Sequence, residues 1–364
     1  MILVTGGTGF VGQEVVRALA GQRVRVLARR PDAAARLFDR QHGVEVAPGD
    51  VLQPEILPSA MAGVTAVIHL VGFIVETQRI TYELGHVEAT RNVLAAARAA
   101  GVTRWVQMSA VGTRPYARSR YHRTKWQAEE LVRASGLDWT ILRPSLIYGY
   151  DEHDRLLNLL RLALSPPLNF LQGYSLALID GGLPMIQPVS VREVARCFAL
   201  APAKREAIGQ TLDLVGPQAM LWFELVNTVL AALGRTRSVR EDVPLLFIVR
   251  LKLWAIVVLL PPVLAALFYF GEIDWLMVVG LATVWLALVV TAASWTRTII
   301  WNLPGEVLIA AAAAANVCLP RALRPSEVLK MAVEDNVGDP APAAAIFSYT
   351  PEPLSEGVRR IVQR

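Results

Sequence analysis

The feature that most constrains this chain stands at its start, where Ile2-Leu3-Val4-Thr5 runs directly into Gly6-Gly7-Thr8-Gly9-Phe10-Val11-Gly12. Ile2 to Val4 is a short apolar run suited to a buried parallel strand, and Phe10 to Ala20 carries helical periodicity. Gly6, Gly9 and Gly12 have the spacing G-x-x-G-x-x-G. The first glycine permits a tight turn, the second lets the backbone approach a pyrophosphate, and the third lets the helix pack close to the strand. The helix N-terminus adds free N–H groups and the positive end of its dipole. A lone glycine pattern carries little, but the strand before it and the helix after it give it meaning. The expected ligand is a dinucleotide, bordered by Gly6, Thr8, Gly9, Phe10, Val11 and Gly12.

The alternation continues. Strand-like runs follow at Val24–Leu27, Val44–Ala47, Ala66–Val71, Trp105–Met108 and Thr140–Leu142, with helical stretches at Glu83–Ala100 and Ser119–Ser135. Strands alternating with helices imply a parallel sheet covered on both faces. The expected fold is α/β, a Rossmann-type doubly wound parallel sheet. Its divisions are a dinucleotide-binding domain over 1–150, a smaller substrate-side region over 151–244, an inserted transmembrane helical hairpin over 245–300, and an apolar docking helix with a C-terminal tail over 301–364.

The second strand ends in Val26-Leu27-Ala28-Arg29-Arg30. An acidic residue there would bind the ribose 2′-OH of NAD, whereas arginine suits the 2′-phosphate of NADP. Arg29 and Arg30 therefore favour NADP(H) over NAD(H).

Tyr121 and Lys125 form Y-x-x-x-K, and residues four apart share a helix face. A phenol near pKa 10 is a poor base at neutral pH unless a nearby cation favours its anion. With "TGGTGFVG", "GDV" at 49–51, "HLVG" at 69–72, "MSAVG" at 108–112, "YHRTK" at 121–125 and "LRPSLIYG" at 142–149, the chain resembles the short-chain dehydrogenase/reductase superfamily, extended or atypical branch. It is most similar to the NADPH-binding accessory subunit of respiratory complex I and its bacterial relatives, over about 1–235 and again at 325–337. The resemblance implies that Asp50 and Val51 border the adenine and that Leu70, Val71 and Gly72 pass the nicotinamide ribose. It implies that Lys125 holds that ribose and lowers the Tyr121 pKa, while Tyr121 exchanges a proton with a substrate oxygen. Two positions depart from the pattern. Ala110 stands in the slot of a catalytic Ser or Thr, with Ser109 one residue early and on the opposite strand face. His86 replaces an Asn. Catalysis and cofactor binding without catalysis both remain open.

Composition adds the membrane question. Hydrophobic residues make up 54% of 364 residues, and the excess is concentrated over 253–319. Leu253–Phe270 and Leu276–Ala293 are each 18 residues long without a charge, enough to rise roughly 27 Å against a bilayer core of about 30 Å. Trp254, Trp275 and Trp295 lie near the ends, as interface anchors do. Arg250, Lys252 and Arg297 flank the pair, while the turn between carries Glu272 and Asp274, so both outer ends are expected in the cytoplasm. No signal peptide is expected, since residue 2 already begins a strand. The expected localisation is thus the membrane, as a multi-pass hairpin with the nucleotide domain on the cytoplasmic side. The run Val307–Pro320 is too short to cross and is expected to dock. Cys197 and Cys318 match no metal spacing and are expected to be buried. Asp151 to Asp154 are expected to form a polar loop rather than a metal site, so no metal is implied. The net charge of +5 comes without a basic run interleaved with aromatics, which speaks against nucleic acid as a partner and leaves a mild attraction to anionic lipid.

Three functions follow as expectations. The first is a membrane-anchored NADP(H)-dependent oxidoreductase acting on a quinone-like or isoprenoid substrate at the bilayer. The second is a non-catalytic NADPH-binding accessory or assembly protein of a respiratory membrane complex. The third is a nucleotide-sugar epimerase or dehydratase, against which Ala110 argues.

Overall fold

The computed structural model describes residues 1–149, 176–179, 184–232, 300–303 and 326–362. Seven strands form one parallel sheet: β1 (Ile2–Thr5), β2 (Val24–Ala28), β3 (Val44–Pro48), β4 (Ala66–His69), β5 (Arg104–Met108), β6 (Asp138–Pro144) and β7 (Gln210–Leu214). Their spatial order is β7-β6-β5-β4-β1-β2-β3. The strand order reverses between β1 and β4, and such a switch point opens a crevice at the strands' carboxyl ends.

The continuous apolar runs are explained by burial on both faces. Successive side chains point to opposite sides of a strand, and the core divides accordingly. Ile2 and Val4 join one apolar cluster with Val26, Ile68, Val106 and Leu142. Leu3 joins the other with Leu27, Val67, Trp105 and Ile141. The first face is covered by α1 (Phe10–Ala18), whose Val15 and Val16 are buried, and by Val191–Leu200 from the later chain. The second face is covered by the single turn Leu57–Ala60 and by Ala89–Ala99.

The remaining helices, numbered with these in chain order, are α2 (Pro31–Leu37), α3 (Ala89–Ala99), α4 (Arg120–Arg133), α5 (Val191–Leu200), α6 (Trp222–Ala232), α7 (Ser326–Ala332), α8 (Ala341–Phe347) and α9 (Leu354–Val362). Helix α3 is preceded by a π-helical turn over Glu83–Glu88, so the expected helix from Glu83 changes register before it reaches α3. Helix α4 begins at Ser119, whose hydroxyl accepts from the His122 N–H at 3.2 Å. The C-terminal segment returns to the body: Leu146 N–H donates to Asn336 Oδ1 at 3.1 Å, and Gly338 N–H to Gln187 Oε1 at 3.2 Å. Leu354 and Val358 of α9 pack with Tyr148, Leu225 and Val229. Cys197 is buried in the first cluster, whereas Cys318 lies outside the described residues.

The structure corrects the expectation of an inserted transmembrane hairpin, and with it the membrane localisation. Among the described residues no helix is long and apolar enough to cross a membrane. The longest described helix, α4, has 14 residues and rises roughly 21 Å, short of a core of about 30 Å. The runs 253–270 and 276–293 on which the expectation rested lie outside the described residues. The run 307–320 and the loop 151–154 lie outside them too.

Candidate active site

The parallel pairing of β1 with β4 sets Thr5 beside His69, so the glycine turn after β1 and the loop after β4 meet at the switch point. Gly6 has φ +75°, a region open to glycine. A Cβ there would also lie 3.0 Å from the Leu70 carbonyl carbon and 3.1 Å from the Val71 nitrogen. Gly12 is the tightest position: its Cβ would lie 2.2 Å from the Gly6 carbonyl oxygen and 2.6 Å from Gly7 Cα. Helix α1 can approach the turn this closely only with hydrogen at residue 12. Gly9 is its N-cap and has no side chain to cap it, and the first turn carries no acidic residue. The first N–H groups of a helix have no intrahelical partner, so those of Phe10, Val11 and Gly12 are left for an outside acceptor. The residues present fit a dinucleotide pyrophosphate, which would lie on them.

The other expected positions surround this turn. Thr8 and Gly9 are exposed, and Phe10 and Val11 are partly buried. Arg29 and Arg30 follow β2, both exposed, and Arg30 is the N-cap of α2. Asp50 Oδ1 accepts from the Leu52 N–H at 3.0 Å, closing a local turn. The carbonyl of Val51 accepts from Asn92 Nδ2 of α3 at 3.0 Å. Asn92 is a residue that the sequence did not single out; it ties the loop after β3 to the helix on that face.

Lys125 reaches across from α4. Its ammonium lies 3.4 Å from the Val71 carbonyl and 3.3 Å from the Met108 carbonyl, bridging the ends of β4 and β5. It is buried, and burial lowers its pKa to about 8, opposed by the Glu129 carboxylate one turn further along. Tyr121 shares the same helix face. Burial pushes its phenol up to about 12, and no lowering by Lys125 accompanies it. At neutral pH Tyr121 is therefore a protonated phenol.

An aromatic wall borders this phenol. Its ring stands edge-on to Tyr82 at 5.9 Å, to His86 at 5.2 Å and to His122 at 5.1 Å, with Phe73 against Tyr82 at 5.7 Å. Gly85 makes room for it, since a Cβ there would meet the Phe73 ring at 2.1 Å. Tyr82, Gly85 and His86 sit at or in the π-helical turn, and such turns recur at functional sites. This wall escaped the sequence reading because its members are scattered over 73–122 and share no helical or strand period.

Beneath the wall lies a buried polar chain. Thr90 Oγ1 donates to the His86 carbonyl at 2.6 Å, so it accepts from His69 Nε2 at 3.3 Å. His69 Nδ1 then accepts from Thr5 Oγ1 at 2.7 Å. Burial first, and Lys125 second, lower the His69 pKa to about 3. The slot after β5 holds no hydroxyl aimed at Tyr121. Ser109 is buried and its hydroxyl lies 3.3 Å from Thr113 Oγ1, while the next residue is Ala110. Among the described residues no group of metal-ligating side chains is present.

The chain matches a family model described as NAD(P)H-binding over residues 6–157. It is 32% identical over 246 residues to the (4-alkanoyl-5-oxo-2,5-dihydrofuran-3-yl)methyl phosphate reductase of Streptomyces griseus, a match covering 66% of this chain and 77% of that one. It is 32% identical over 232 residues to the mitochondrial NADH dehydrogenase [ubiquinone] 1 alpha subcomplex subunit 9 of Arabidopsis thaliana, covering 62% of this chain and 56% of that one. In fold it is similar to the NADPH-dependent quinone oxidoreductase of Escherichia coli in complex with NADPH, with TM-score 0.65, 19% identity and 99% of each chain covered.

Proposed function

The chain belongs to the NAD(P)H-binding family of extended short-chain dehydrogenase/reductase-like proteins, and on that premise we propose that it is an NADP(H)-dependent reductase of a hydrophobic, quinone-like or isoprenoid acceptor. The observation that carries the reading is the placement of Tyr121 and Lys125: one face of α4 carries a protonated phenol and, one turn on, an ammonium that bridges Val71 and Met108. The nicotinamide, when bound, supplies hydride. Gly6, Gly9 and Gly12 would admit the pyrophosphate, Arg29 and Arg30 would bind the 2′-phosphate, and Asp50 and Val51 would border the adenine. Leu70 to Gly72 and Lys125 would hold the nicotinamide ribose. Tyr121 gives its proton to the substrate atom that has gained charge. The phenol is protonated at neutral pH, as that step requires.

The hydrophobic acceptor is supported by the wall of Phe73 and Tyr82 beside Tyr121 and by two apolar side chains exposed on the same segment, Ile74 at 39% and Leu84 at 37%. The reductase name of the Streptomyces relative and the quinone oxidoreductase name of the structural neighbour agree with it.

A second reading is an NADPH-binding accessory protein of a respiratory complex, without catalysis. Ala110, and a Ser109 hydroxyl turned to Thr113, favour it, as does the name of the Arabidopsis relative. Replacement of Tyr121 by Phe separates the two. With menadione as acceptor, the reductase reading expects NADPH oxidation to fall by about 10²–10⁴-fold, the usual worth of a general acid, with NADPH still bound. Equal turnover in wild type and Tyr121→Phe would sink it.

A further inference from the structure

Tyr121 is the second residue of α4, so where its phenol stands depends on how the first turn of that helix is held. The opening N–H groups of a helix have no intrahelical acceptor, and acidic side chains there complement the helix dipole. The first turn of α4 has no acidic residue, and its Ser119 cap takes the His122 N–H.

The missing negative charge comes from far along the chain. The Arg120 N–H donates to Glu327 Oε2 of α7 at 2.6 Å, and the Arg118 N–H, just before the helix, donates to Glu334 Oε1 at 3.2 Å. Each carboxylate is itself held by a cation. Lys330 Nζ donates to Glu327 Oε1 at 2.8 Å, and Arg114 Nη2 lies 2.9 Å from Glu334 Oε2. The side chains of Glu327 and Glu334 are 16% and 9% exposed, so these are not the solvated pairs that contribute little. Both carboxylates also act on rings beside the phenol. Burial first, and Glu327 second, push the Tyr82 phenol up. Burial lowers the His122 pKa to about 4, and Glu334 opposes it. Tyr82 and His122 both stand edge-on to Tyr121.

We propose that Glu327, with Glu334 beside it, is a positioning residue for Tyr121: carboxylates brought by α7 and the turn after it hold the first turn of α4 and set where the phenol stands in the aromatic wall. The contact that does this spans 207 residues of chain. Tyr121 and Lys125 are thus placed by a helix that its own N-terminal turn does not secure. The inference rests on the reductase reading for what Tyr121 does, but not for where Tyr121 stands.

The test compares full-length wild type with Glu327→Ala. Amide hydrogen exchange, resolved to single residues, reads the contact. The Arg120 N–H is expected to exchange about 10–100-fold faster, the worth of a hydrogen bond to a charged group, with the Glu129 N–H unchanged. The ring resonances of 13C-labelled tyrosine, with Tyr121 assigned by its loss in Tyr121→Phe, read the position. Tyr121 is expected to shift, while Tyr349, whose hydroxyl donates to the Val215 carbonyl, stays in place. With menadione, kcat is expected to fall about 10–100-fold, as a small misplacement costs, with NADPH affinity unchanged. Should Glu327→Ala not fold, Glu327→Gln drops the charge at constant size and carries the same expectations. An unmoved Tyr121 resonance, an equal quickening at Arg120 and Glu129, or full kcat in the variant overturns the proposal. A wild type without menadione turnover would sink the reductase reading instead, and the exchange and ring spectra would still decide this one.

Discussion

Arg143 grips Glu129 by both carboxylate oxygens, Nε at 2.8 Å from Oε1 and Nη2 at 2.6 Å from Oε2. Arg133 adds a third contact at 2.7 Å, and the Glu129 side chain is wholly buried. Helix α4 is thereby fixed to β6 one turn beyond Lys125. Glu129→Gln leaves two arginines short of their counter-charge. Removing one partner of a buried pair costs about 3–5 kcal/mol, and the partial exposure of both arginines favours the lower end. Urea melts at pH 7 are expected to show a loss of about 3 kcal/mol. An unchanged midpoint would mean that the cluster does not hold the helix.

Gly12→Ala places a Cβ 2.2 Å from a backbone carbonyl, where no side-chain rotation relieves the contact. Helix α1 must move off the turn, and its free N–H groups move with it. The expected outcome is loss of NADPH binding by at least about tenfold, equivalent to about 1.4 kcal/mol, together with a lower melting temperature. Gly63→Ala is the control: its φ of +70° is equally positive, but nothing lies within 4 Å of its Cβ. It should cost stability alone. If both variants bind NADPH like wild type, the turn is not the pyrophosphate site.

The sheet was legible because both of its signals are local. Ile2 to Val4 has no polar residue on either face, and the helix opened by Phe10 follows at once, so one short segment states strand, turn and helix. The terminal strand β7 over 210–214 was missed, because Thr211 and Asp213 interrupt its apolar residues and give it the look of an exposed loop. The membrane expectation used a different kind of signal. Window hydropathy reports what a segment prefers as solvent, not that it forms a spanning helix, and none is found among the described residues. Within the site, Tyr121 and Lys125 were legible from a fixed spacing on one helix. The wall of Phe73, Tyr82 and His86 was not, since it is assembled by a π-helical turn that breaks the 3.6-residue period, and the hydrogen bond that ties His86 to Thr124 joins residues 38 apart in the chain.

Arg29 and Arg30 stand exposed at the end of β2, and among the described residues the bond found at either is a backbone one, the Ala34 N–H donating to the Arg30 carbonyl at 3.0 Å. That bond is made by backbone and survives a change of side chain, so replacing the Arg29 side chain should alter ligand preference and leave stability alone. Arg29→Asp is expected to weaken NADPH binding by about 10–100-fold, the worth of a charge-assisted hydrogen bond, with NADH binding unchanged or tighter. Fluorescence titration with both dinucleotides measures this. An unchanged ratio of the two affinities would remove the 2′-phosphate assignment.

The buried Lys125 also makes stability depend on pH in a stated direction. Its pKa is 10.5 as a free side chain and about 8 in the folded protein, lowered by burial. Between those values the unfolded chain binds more protons than the folded one, so folding stability rises with pH. Below about pH 8 the lysine is charged in both states and the full cost of burying the cation is present; as pH climbs through 8 toward 10.5 that cost is relieved. At up to about 1.36 kcal/mol per pH unit, and half that slope at pH 8 itself, the gain from pH 8 to 9.5 attributable to Lys125 is roughly 1.6 kcal/mol. Lys125→Met has no such proton and should lack the rise. Other groups titrate in this range, including Cys197 from its ordinary 9.0 upward, but they are common to both proteins and cancel in the difference. Tyr121 begins to contribute only above its ordinary 10.0, which is why the comparison stops at pH 9.5. Urea melts of the two proteins at pH 7, 8, 9 and 9.5 therefore isolate the lysine. A stability difference that stays constant across that range would show that Lys125 is not the buried cation described here.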